Sequence, residues 1–237
     1  MTRDLELILA SASPRRAELL RLLGLEFRVI PSHIDEEERP GSAPSQTVLR
    51  LARDKARALL QGVPGDDGHR GLIIAADTAI EFGGHLLGKP LDKEDAVRML
   101  MRLRGRRHWV LTAVCVADGR TRREAASVVR SEVTMRRFGR NEAEEYAASG
   151  EPLDKAGSYA IQGRGSELID DWSGCYDNIV GLPVCEVARL ILHFEPTAPV
   201  RRDACRLPGG QLCPRLKDPR TALVLENTEP AKEGDQR

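Results

Sequence analysis

The sequence predicts an α/β fold with an elongated, mixed β-sheet flanked by helices. Short apolar runs of strand character alternate along the chain with segments of helical periodicity, a pattern that is typical of helices packed on a sheet. Two turn signals, Gly83-Gly84 and Asp118-Gly119, each separate runs of strand character and predict hairpins. Hairpins make antiparallel pairs and helical crossovers make parallel ones, so both should occur.

The predicted elements follow one another as far as about residue 195. Apolar or alternating runs predict five strands and a weaker sixth, at 6–10, 26–30, 72–80, 108–117, 125–136 and 167–172. Periodic apolar positions predict five helices, at 14–23, 46–60, 93–103, 141–149 and 182–193. Ser13 and Asp92 stand where they can cap the following helices, and Pro14 suits a first helical position.

The composition changes after Glu195. Residues 196–237 carry prolines, scattered charges and one short apolar run at 221–225. We therefore divide the chain into a domain at 1–195 and a C-terminal extension at 196–237, which we expect to lie mostly outside the core and to be partly disordered. A short docked strand at 221–225 is the main alternative.

Charge and composition exclude several classes of protein. The 36 basic residues balance 36 acidic ones and only 4% of residues are aromatic, so we expect no nucleic acid as a partner. We also expect no membrane association, because no apolar stretch is long enough to cross a bilayer. The N-terminus has no signal-peptide pattern and the five cysteines form no CxxC pair. Both features favour reduced thiols and a cytoplasmic location.

The cysteine spacing does not predict a zinc site. Cys205 and Cys213 are the nearest candidates, and seven residues separate them. That interval differs from the spacing of the usual zinc knuckles.

The first candidate site is the turn at 11–16, where Ser11 and Ser13 precede Arg15 and Arg16 at a predicted helix N-terminus. Cations are normally disfavoured at that end of a helix. Hydroxyl groups, free backbone N–H groups and two guanidinium groups together are typical of an anion site, and we expect the anion to be phosphate. The alternative is a surface turn whose arginines pair with acidic residues elsewhere.

Three further charged residues lie in unusual settings. Asp77 ends an apolar run, and a carboxylate in a buried strand needs a hydrogen bond, an ion pair or a metal; capping of a turn is the alternative. Lys89 lies between Gly88 and Pro90 in a rigid turn that suits a phosphate or carboxylate contact, although no P-loop is present. Lys55 falls on the apolar stripe of the predicted second helix and either extends along the surface or points into a cleft.

Two loops offer polar groups of other kinds. Glu36 belongs to four successive acids at 35–38, which usually form a solvated loop, although one such carboxylate can reach Mg²⁺ or Mn²⁺. Gln162 follows small residues around a tyrosine, and its amide can both donate and accept, as recognition of a base edge requires. An ordinary glycine-rich loop is the alternative there.

Five segments in this order resemble the Maf family of nucleoside triphosphate pyrophosphatases. They are ASASPRR at 10–16, ADT at 76–78, LGKP at 87–90, DKAGSYAIQG at 154–163 and NIVGLP at 178–183. The resemblance extends from about Leu7 to Leu192. One departure lies at Cys175, where a cysteine is not usual in the family.

The resemblance implies a fold of two lobes around a central nucleotide-binding cleft, often in a homodimer. It implies hydrolysis of a nucleoside triphosphate to the monophosphate and pyrophosphate, with a divalent metal cation. Asp77 matches the family's proton acceptor, and Glu36, Lys55 and Lys89 match residues of the same cleft. As a mechanism we expect Ser11, Ser13, Arg15 and Arg16 to bind the phosphates, and Glu36 with Asp77 to hold Mg²⁺ or Mn²⁺.

The resemblance also implies a substrate subtype. Arg15, Thr78 and Gln162 stand at the three positions where the family diverges, and they match enzymes that act on dTTP, UTP and modified pyrimidine triphosphates to cleanse nucleotide pools. Two alternatives remain at this point. One is a pyrophosphatase for methylated or purine nucleotides, and the other is a non-catalytic regulator of septum formation that binds a partner.

Overall fold

The computed structural model describes residues 5–36, 41–62 and 71–216, and its centre is an open seven-stranded sheet. The strand order is β2-β1-β3-β5-β6-β7, with β4 paired to β3. β1 runs parallel to β2 and β3, and every other pair is antiparallel. The mixed sheet of the predicted α/β fold is thereby confirmed. The strands are β1 (Leu7–Leu9), β2 (Arg28–Val29), β3 (Leu72–Phe82), β4 (His85–Leu87), β5 (Arg107–Asp118), β6 (Glu124–Met135) and β7 (Ile169–Ser173).

Within the described residues, six α-helices accompany the sheet: α1 (Pro14–Arg21), α2 (Pro44–Leu60), α3 (Lys93–Leu103), α4 (Arg140–Ala148), α5 (Tyr176–Val180) and α6 (Val184–Phe194). Each predicted helix and strand is present with ends shifted by a few residues, and both predicted hairpins join their strands. The predicted hairpin at Gly83-Gly84 implied β4 without giving its bounds, and the sequence did not predict α5 or the 3₁₀ helices at Glu151–Asp154, Ala156–Ser158, Gly163–Leu168 and Pro214–Leu216. These elements are too short to show a period.

The two predicted helix caps differ in outcome. Asp92 caps α3, because its Oδ1 accepts a hydrogen bond of 2.7 Å from the backbone N–H of Asp95. Ser13 is the N-cap residue of α1 as predicted, but its side chain makes no capping hydrogen bond. Its backbone N–H instead donates to Oγ of Ser11 at 3.2 Å, which tightens the turn.

The pairing of β3 leaves a gap at one edge of the sheet. β5 pairs with β3 along residues 72–81. On the opposite edge, β1 pairs with residues 72–74 and β4 with residues 80–82. Among the described residues, the stretch 75–79 therefore has a strand neighbour on one side only. Asp77 and Thr78 lie in this stretch, so the gap gives other parts of the chain access to them.

Alternation along β3 then sends these two side chains to opposite faces. Asp77 shares its face with Ile73 and Ala75, which pack with α2 in one apolar cluster. Thr78 shares its face with Ile74 and Ala76, which pack with α1 and α6 in another. A third cluster lies around α3 and α4. The sheet thus presents Asp77 toward α2 and Thr78 toward α1.

The first part of the extension packs against the domain. Cys205 and Cys213 are buried in the cluster of α1 and α6, and Ala198, Val200 and Leu216 pack against it. Residues 196–216 therefore lie closer to the core than their composition suggested. The predicted strand at 221–225 falls outside the described residues, and the domain boundary at 195 stays a prediction. In the described residues, no helix has the length and apolar character needed to span a membrane.

Candidate active site

A cavity of about 680 Å³ opens at the gap beside β3. Its walls come from the turn before α1, from α2 and β3, from the turn after β4 and from the end of α5. The remaining wall is the 3₁₀ segment, by which we mean residues 151–168 with their three short 3₁₀ helices. Every side chain that the sequence singled out for the site lines this one cavity: Ser11, Ser13, Arg15, Arg16, Glu36, Lys55, Asp77, Thr78, Lys89 and Gln162. Residues from distant parts of the chain thus line one cavity, as predicted.

Lys55 joins two carboxylates on one wall of the cavity. Its Nζ lies 2.6 Å from Oδ1 of Asp77 and 2.8 Å from Oε1 of Glu36. Lys55 and Asp77 are buried, whereas the side chain of Glu36 is 55% exposed. The ammonium group therefore points into the cleft rather than along the surface, and it compensates the burial of Asp77.

The surrounding cations keep Glu36 ionised. Burial alone would raise the pKa of this carboxyl, but the hydrogen bond from Lys55 and the charges of Lys55, Lys89 and Arg16 bring the pKa below its ordinary value. A deprotonated Glu36 is available to accept hydrogen bonds or to bind a cation. The acidic loop thus contributes at least this one residue to the site.

Arg16 reaches across the gap to three separate elements. Its Nη1 donates to the carbonyl oxygen of Ala76 at 2.8 Å and to Oγ of Ser11 at 3.3 Å. Its Nε donates to the carbonyl oxygen of Gly181 at 3.0 Å, and its Nη2 donates to Oγ1 of Thr78 at 3.1 Å. Four of the five guanidinium N–H groups are thereby used within the protein.

This arrangement differs from the expected role of Arg16 as a general phosphate contact. Burial lowers the pKa of its guanidinium, while the charges of Asp77 and Glu36 oppose that shift. With one N–H group left for the cavity, Arg16 mainly connects α1, β3 and the end of α5. Sequence alone could not assign this role, since it depends on where the carbonyl groups lie.

Thr78 is also held by the protein. Its Oγ1 lies 3.0 Å from Oγ1 of Thr112 and 3.3 Å from the carbonyl oxygen of Gly181. Thr112 in turn donates to the carbonyl oxygen of Asn178 at 3.0 Å. No sequence pattern indicated Thr112, which lies within the apolar strand β5. These hydroxyls fix the α5 segment against β3.

Arg15 and Lys89 contrast with the other cations of the site. Neither has a hydrogen-bond or ion-pair partner among the residues that the structure describes. Both line the cavity, Lys89 exposed and Arg15 half-buried. Lys89 and Arg15 act on the carboxyls of Glu36 and Asp154 without direct contact, so their N–H donors remain available in the cavity, which suits an anionic ligand.

The 3₁₀ segment closes the remaining side. Gly157, with a φ of 67°, donates its N–H to the carbonyl oxygen of Gly88 at 2.9 Å, which ties this segment to the turn that carries Lys89. Gln162 lies further along and is exposed. Asp154 and Lys155 also line the cavity, although their sequence context had predicted no role for them in the site. Burial alone would raise the pKa of Asp154, but Lys155 and Arg15 bring it below its ordinary value.

The fold and the cavity define an α/β protein with a polar, cation-lined cleft at an interruption in its sheet. Residues 6–194 match the family described as Maf-like protein. The chain belongs to this family.

Curated relatives are similar over most of the chain. A dTTP/UTP pyrophosphatase of Anaeromyxobacter dehalogenans is 50% identical over 187 residues, which are 78% of this chain and 92% of the relative. The dTTP/UTP pyrophosphatases of Myxococcus xanthus and Syntrophomonas wolfei are 48% and 44% identical over 185 and 182 residues. These alignments cover 78% and 76% of this chain, and 90% and 92% of the relatives.

Proposed function

We propose that this chain is a nucleoside triphosphate pyrophosphatase that hydrolyses dTTP and UTP to the monophosphate and pyrophosphate. The observation that carries the proposal is the pairing of Lys55 with both Asp77 and Glu36 in a cavity that is also lined by two cations without an ion pair, Arg15 and Lys89. Membership of the Maf family and the names of relatives at 41–50% identity support the same activity. Removal of damaged or excess pyrimidine triphosphates from the nucleotide pool is the corresponding cellular task.

Arg15 and Lys89 are proposed to receive the phosphates. A triphosphate brings several negative charges. Because Arg15 and Lys89 make no hydrogen bond or ion pair among the described residues, they can bind it without first breaking one. The backbone N–H groups at the start of α1 add donors beside Arg15. Ser11 and Ser13 shape this turn, and Arg16 keeps it against β3.

Asp77 is proposed to accept a proton from the attacking water. Its buried carboxylate lies at the level of the gap in β3, where a substrate phosphate can approach. Lys55 orients this carboxylate through the bond of 2.6 Å. General-base help of this kind is typically worth 10²- to 10⁴-fold in rate.

The acidic pair also suits a divalent cation. Glu36 and Asp77 offer carboxylate oxygens on either side of one nitrogen, and such hard oxygen donors are those that Mg²⁺ and Mn²⁺ prefer. When bound, the metal would supply charge neutralisation at the phosphates and a more acidic water. Mg²⁺ usually binds through only one or two carboxylates and the substrate phosphates, so two protein ligands suffice.

Recognition of the pyrimidine is proposed to involve Arg15, Thr78 and Gln162. The exposed amide of Gln162 is hydrogen-bonded to the side chain of Tyr176, and its remaining donor and acceptor groups can face a base edge. Thr78 uses its hydroxyl within the protein, so it acts by placing the wall formed by α5. A homodimer and a cytoplasmic location are proposed on the family resemblance and composition, and light scattering and imaging of the tagged chain test them.

The decisive experiment measures pyrophosphate release from a panel of triphosphates, with Mg²⁺ and Mn²⁺ compared. We expect dTTP and UTP to give the highest kcat/KM, and pyrophosphate rather than orthophosphate as product. Preference for a purine or methylated nucleotide would replace the proposed substrate class. Absence of pyrophosphate from every triphosphate would overturn the enzymatic function and favour the regulatory alternative.

The proton acceptor is tested by Asp77→Asn. We expect turnover to fall by about 10³-fold, because the amide cannot accept a proton from water, while nucleotide binding is retained. Asp171→Asn is the matched control, since Asp171 is exposed on β7 away from the cavity. Turnover of Asp77→Asn at the rate of the unaltered chain would remove Asp77 from this role.

A further inference from the structure

Four of the five cysteines meet in one buried cluster behind the cleft. The sulfur atoms of Cys175, Cys185, Cys205 and Cys213 all lie within 4.8 Å of one another, and all four residues are buried. Sγ of Cys175 lies 3.6 Å from Sγ of Cys205 and 3.9 Å from Sγ of Cys185. These distances are too long for disulfide bonds, and all four are free thiols.

Two of the four cysteines belong to the Maf domain. Cys175 directly precedes α5, where its N–H donates to Oγ of Ser131 at 3.1 Å and its carbonyl oxygen accepts from the same hydroxyl at 2.9 Å. Cys185 lies in the first turn of α6. Both positions are thus fixed by the domain itself.

The other two come from the extension, outside the residues that match the family. Cys205 and Cys213 flank a tight hairpin, in which Cys213 donates its N–H to the carbonyl oxygen of Cys205 at 3.0 Å. A bridge between Arg206 and Leu212 continues the pairing. The turn contains Gly209, with a φ of 93°, and Gly210, with a φ of 84°. The backbone thereby holds two thiols side by side against the domain.

The cluster has the dimensions of a tetrahedral metal site. Zinc binds thiolates at about 2.3 Å, which places the sulfur atoms of a tetrahedron about 3.8 Å apart. The measured separations of 3.6 and 3.9 Å agree with that value, and the others extend only to 4.8 Å. Four soft sulfur donors select zinc over the hard cations that suit the carboxylates of the cleft.

We propose that Cys175, Cys185, Cys205 and Cys213 bind a structural zinc ion that fastens the extension to the Maf domain. Four protein ligands complete a tetrahedron and leave no open position, so the ion is structural rather than catalytic. The spacing of Cys205 and Cys213 did not predict a zinc site because these two residues supply only half of the ligands. The other ligand pair lies earlier in the chain.

The zinc site also stands directly behind one wall of the cleft. Cys175 precedes α5, and the residue after α5, Gly181, accepts the hydrogen bond from Arg16. Fixing Cys175 therefore fixes the segment that Arg16 and Thr78 hold from the other side. The proposal does not depend on the chain's enzymatic activity.

The test begins with the full chain purified under reducing conditions without chelator. We expect about one zinc per chain by elemental analysis. Replacement of zinc by Co²⁺ should give the intense visible bands and the sulfur-to-metal charge-transfer absorption of a tetrahedral thiolate site. Cys205→Ser combined with Cys213→Ser should abolish the zinc and lower Tm. The matched control is Cys115→Ala, which removes the one cysteine buried elsewhere, in β5, and should retain the zinc.

Two safeguards keep the result decisive. If the double variant does not fold, Cys213→His tests the site instead, because a histidine can replace one thiolate and should retain the zinc. The unaltered chain is itself informative. Zinc far below one per chain after reconstitution, octahedral Co²⁺ spectra, or mass-spectrometric detection of disulfides among the four cysteines would each overturn the proposal.

Discussion

Arg15 and Arg16 are sequence neighbours in one helical turn, but they contact different parts of the molecule. Arg16 donates four hydrogen bonds within the protein, whereas Arg15 makes no hydrogen bond or ion pair among the described residues. The sequence identified both as cations beside an anion site. It could not tell them apart, because the difference arises from acceptors on β3 and after α5 that are distant in the chain.

Arg16→Lys tests whether Arg16 stabilises the fold by connecting α1, β3 and the end of α5. A lysine can satisfy only some of the four acceptors, so we expect a loss of about 2–3 kcal/mol in the free energy of unfolding, with a corresponding fall in Tm. Thermal and urea unfolding measure it. The comparison variant is Arg15→Gln, which should leave Tm unchanged and raise KM for the triphosphate. Equal Tm values for both variants would contradict this division of roles.

Gln162→Glu tests recognition of the base. The amide offers a donor and an acceptor, whereas a carboxylate only accepts, so we expect a weaker preference for pyrimidine triphosphates. Relative kcat/KM values across the triphosphate panel measure the change. Glu167→Gln, at an exposed position of the 3₁₀ helix Gly163–Leu168, is a suitable control for altered charge on this segment. An unchanged order of substrates in Gln162→Glu would exclude Gln162 from this role.

At the level of elements, the long strands and amphipathic helices could be predicted and the short connecting segments could not. β3, β5 and α3 have apolar patterns long enough to show a period, and α3 has the predicted ends. The 3₁₀ helices between α4 and β7 depend on tertiary hydrogen bonds, such as that from Gly157 to the carbonyl oxygen of Gly88. Those bonds place Gln162 and Lys89 on adjoining walls.

Gly157→Ala should disturb this segment. Its φ of 67° strains any residue with a side chain, and a Cβ there would lie 2.8 Å from Cγ1 of Ile80. We expect a cost of about 1–3 kcal/mol and a raised KM, because the segment must shift away from β3. Unfolding and steady-state kinetics measure both effects. Gly139→Ala is the control, with open space around it and a φ of −79°, and similar losses in both variants would refute the argument.

At the scale of the whole molecule, stability should depend on pH through a buried histidine. Nε2 of His108 lies 2.6 Å from the hydroxyl of Tyr159, and the residue is 1% exposed. Burial lowers its pKa to about 4 from the ordinary 6.5. Between these values the unfolded chain takes up a proton that the folded chain does not, so stability falls as pH decreases from about 6.5 to 4.

This proton linkage lowers the free energy of unfolding by about 3 kcal/mol between pH 6.5 and pH 4. His108→Gln should therefore flatten the curve of unfolding free energy against pH between 4 and 6.5. His193→Gln, at an exposed position of α6, should leave the slope as it is. Urea unfolding at a series of pH values measures the slopes, and identical slopes in the unaltered chain and His108→Gln would exclude this residue as the source.

The arrangement of the whole chain was predictable to the extent that it depends on long periodic segments and on recognisable motifs. All ten site residues that the motifs indicated line the cavity. The contact between the extension and the domain was not predictable, because Cys205 and Cys213 lie in a polar, proline-containing stretch whose burial depends on a hairpin and on Cys175 and Cys185. Composition alone carries no such information.

The unpaired stretch of β3 also affects how this protein avoids aggregation through its sheet edge. An open sheet edge offers backbone groups that an extended segment of another molecule can pair with, which is a common start of aggregation. Ala76 lies on that edge, and the guanidinium group of Arg16 occupies its carbonyl oxygen. The charged side chain takes the position that an incoming strand would need, so the opening that admits a small ligand is closed to β-sheet extension.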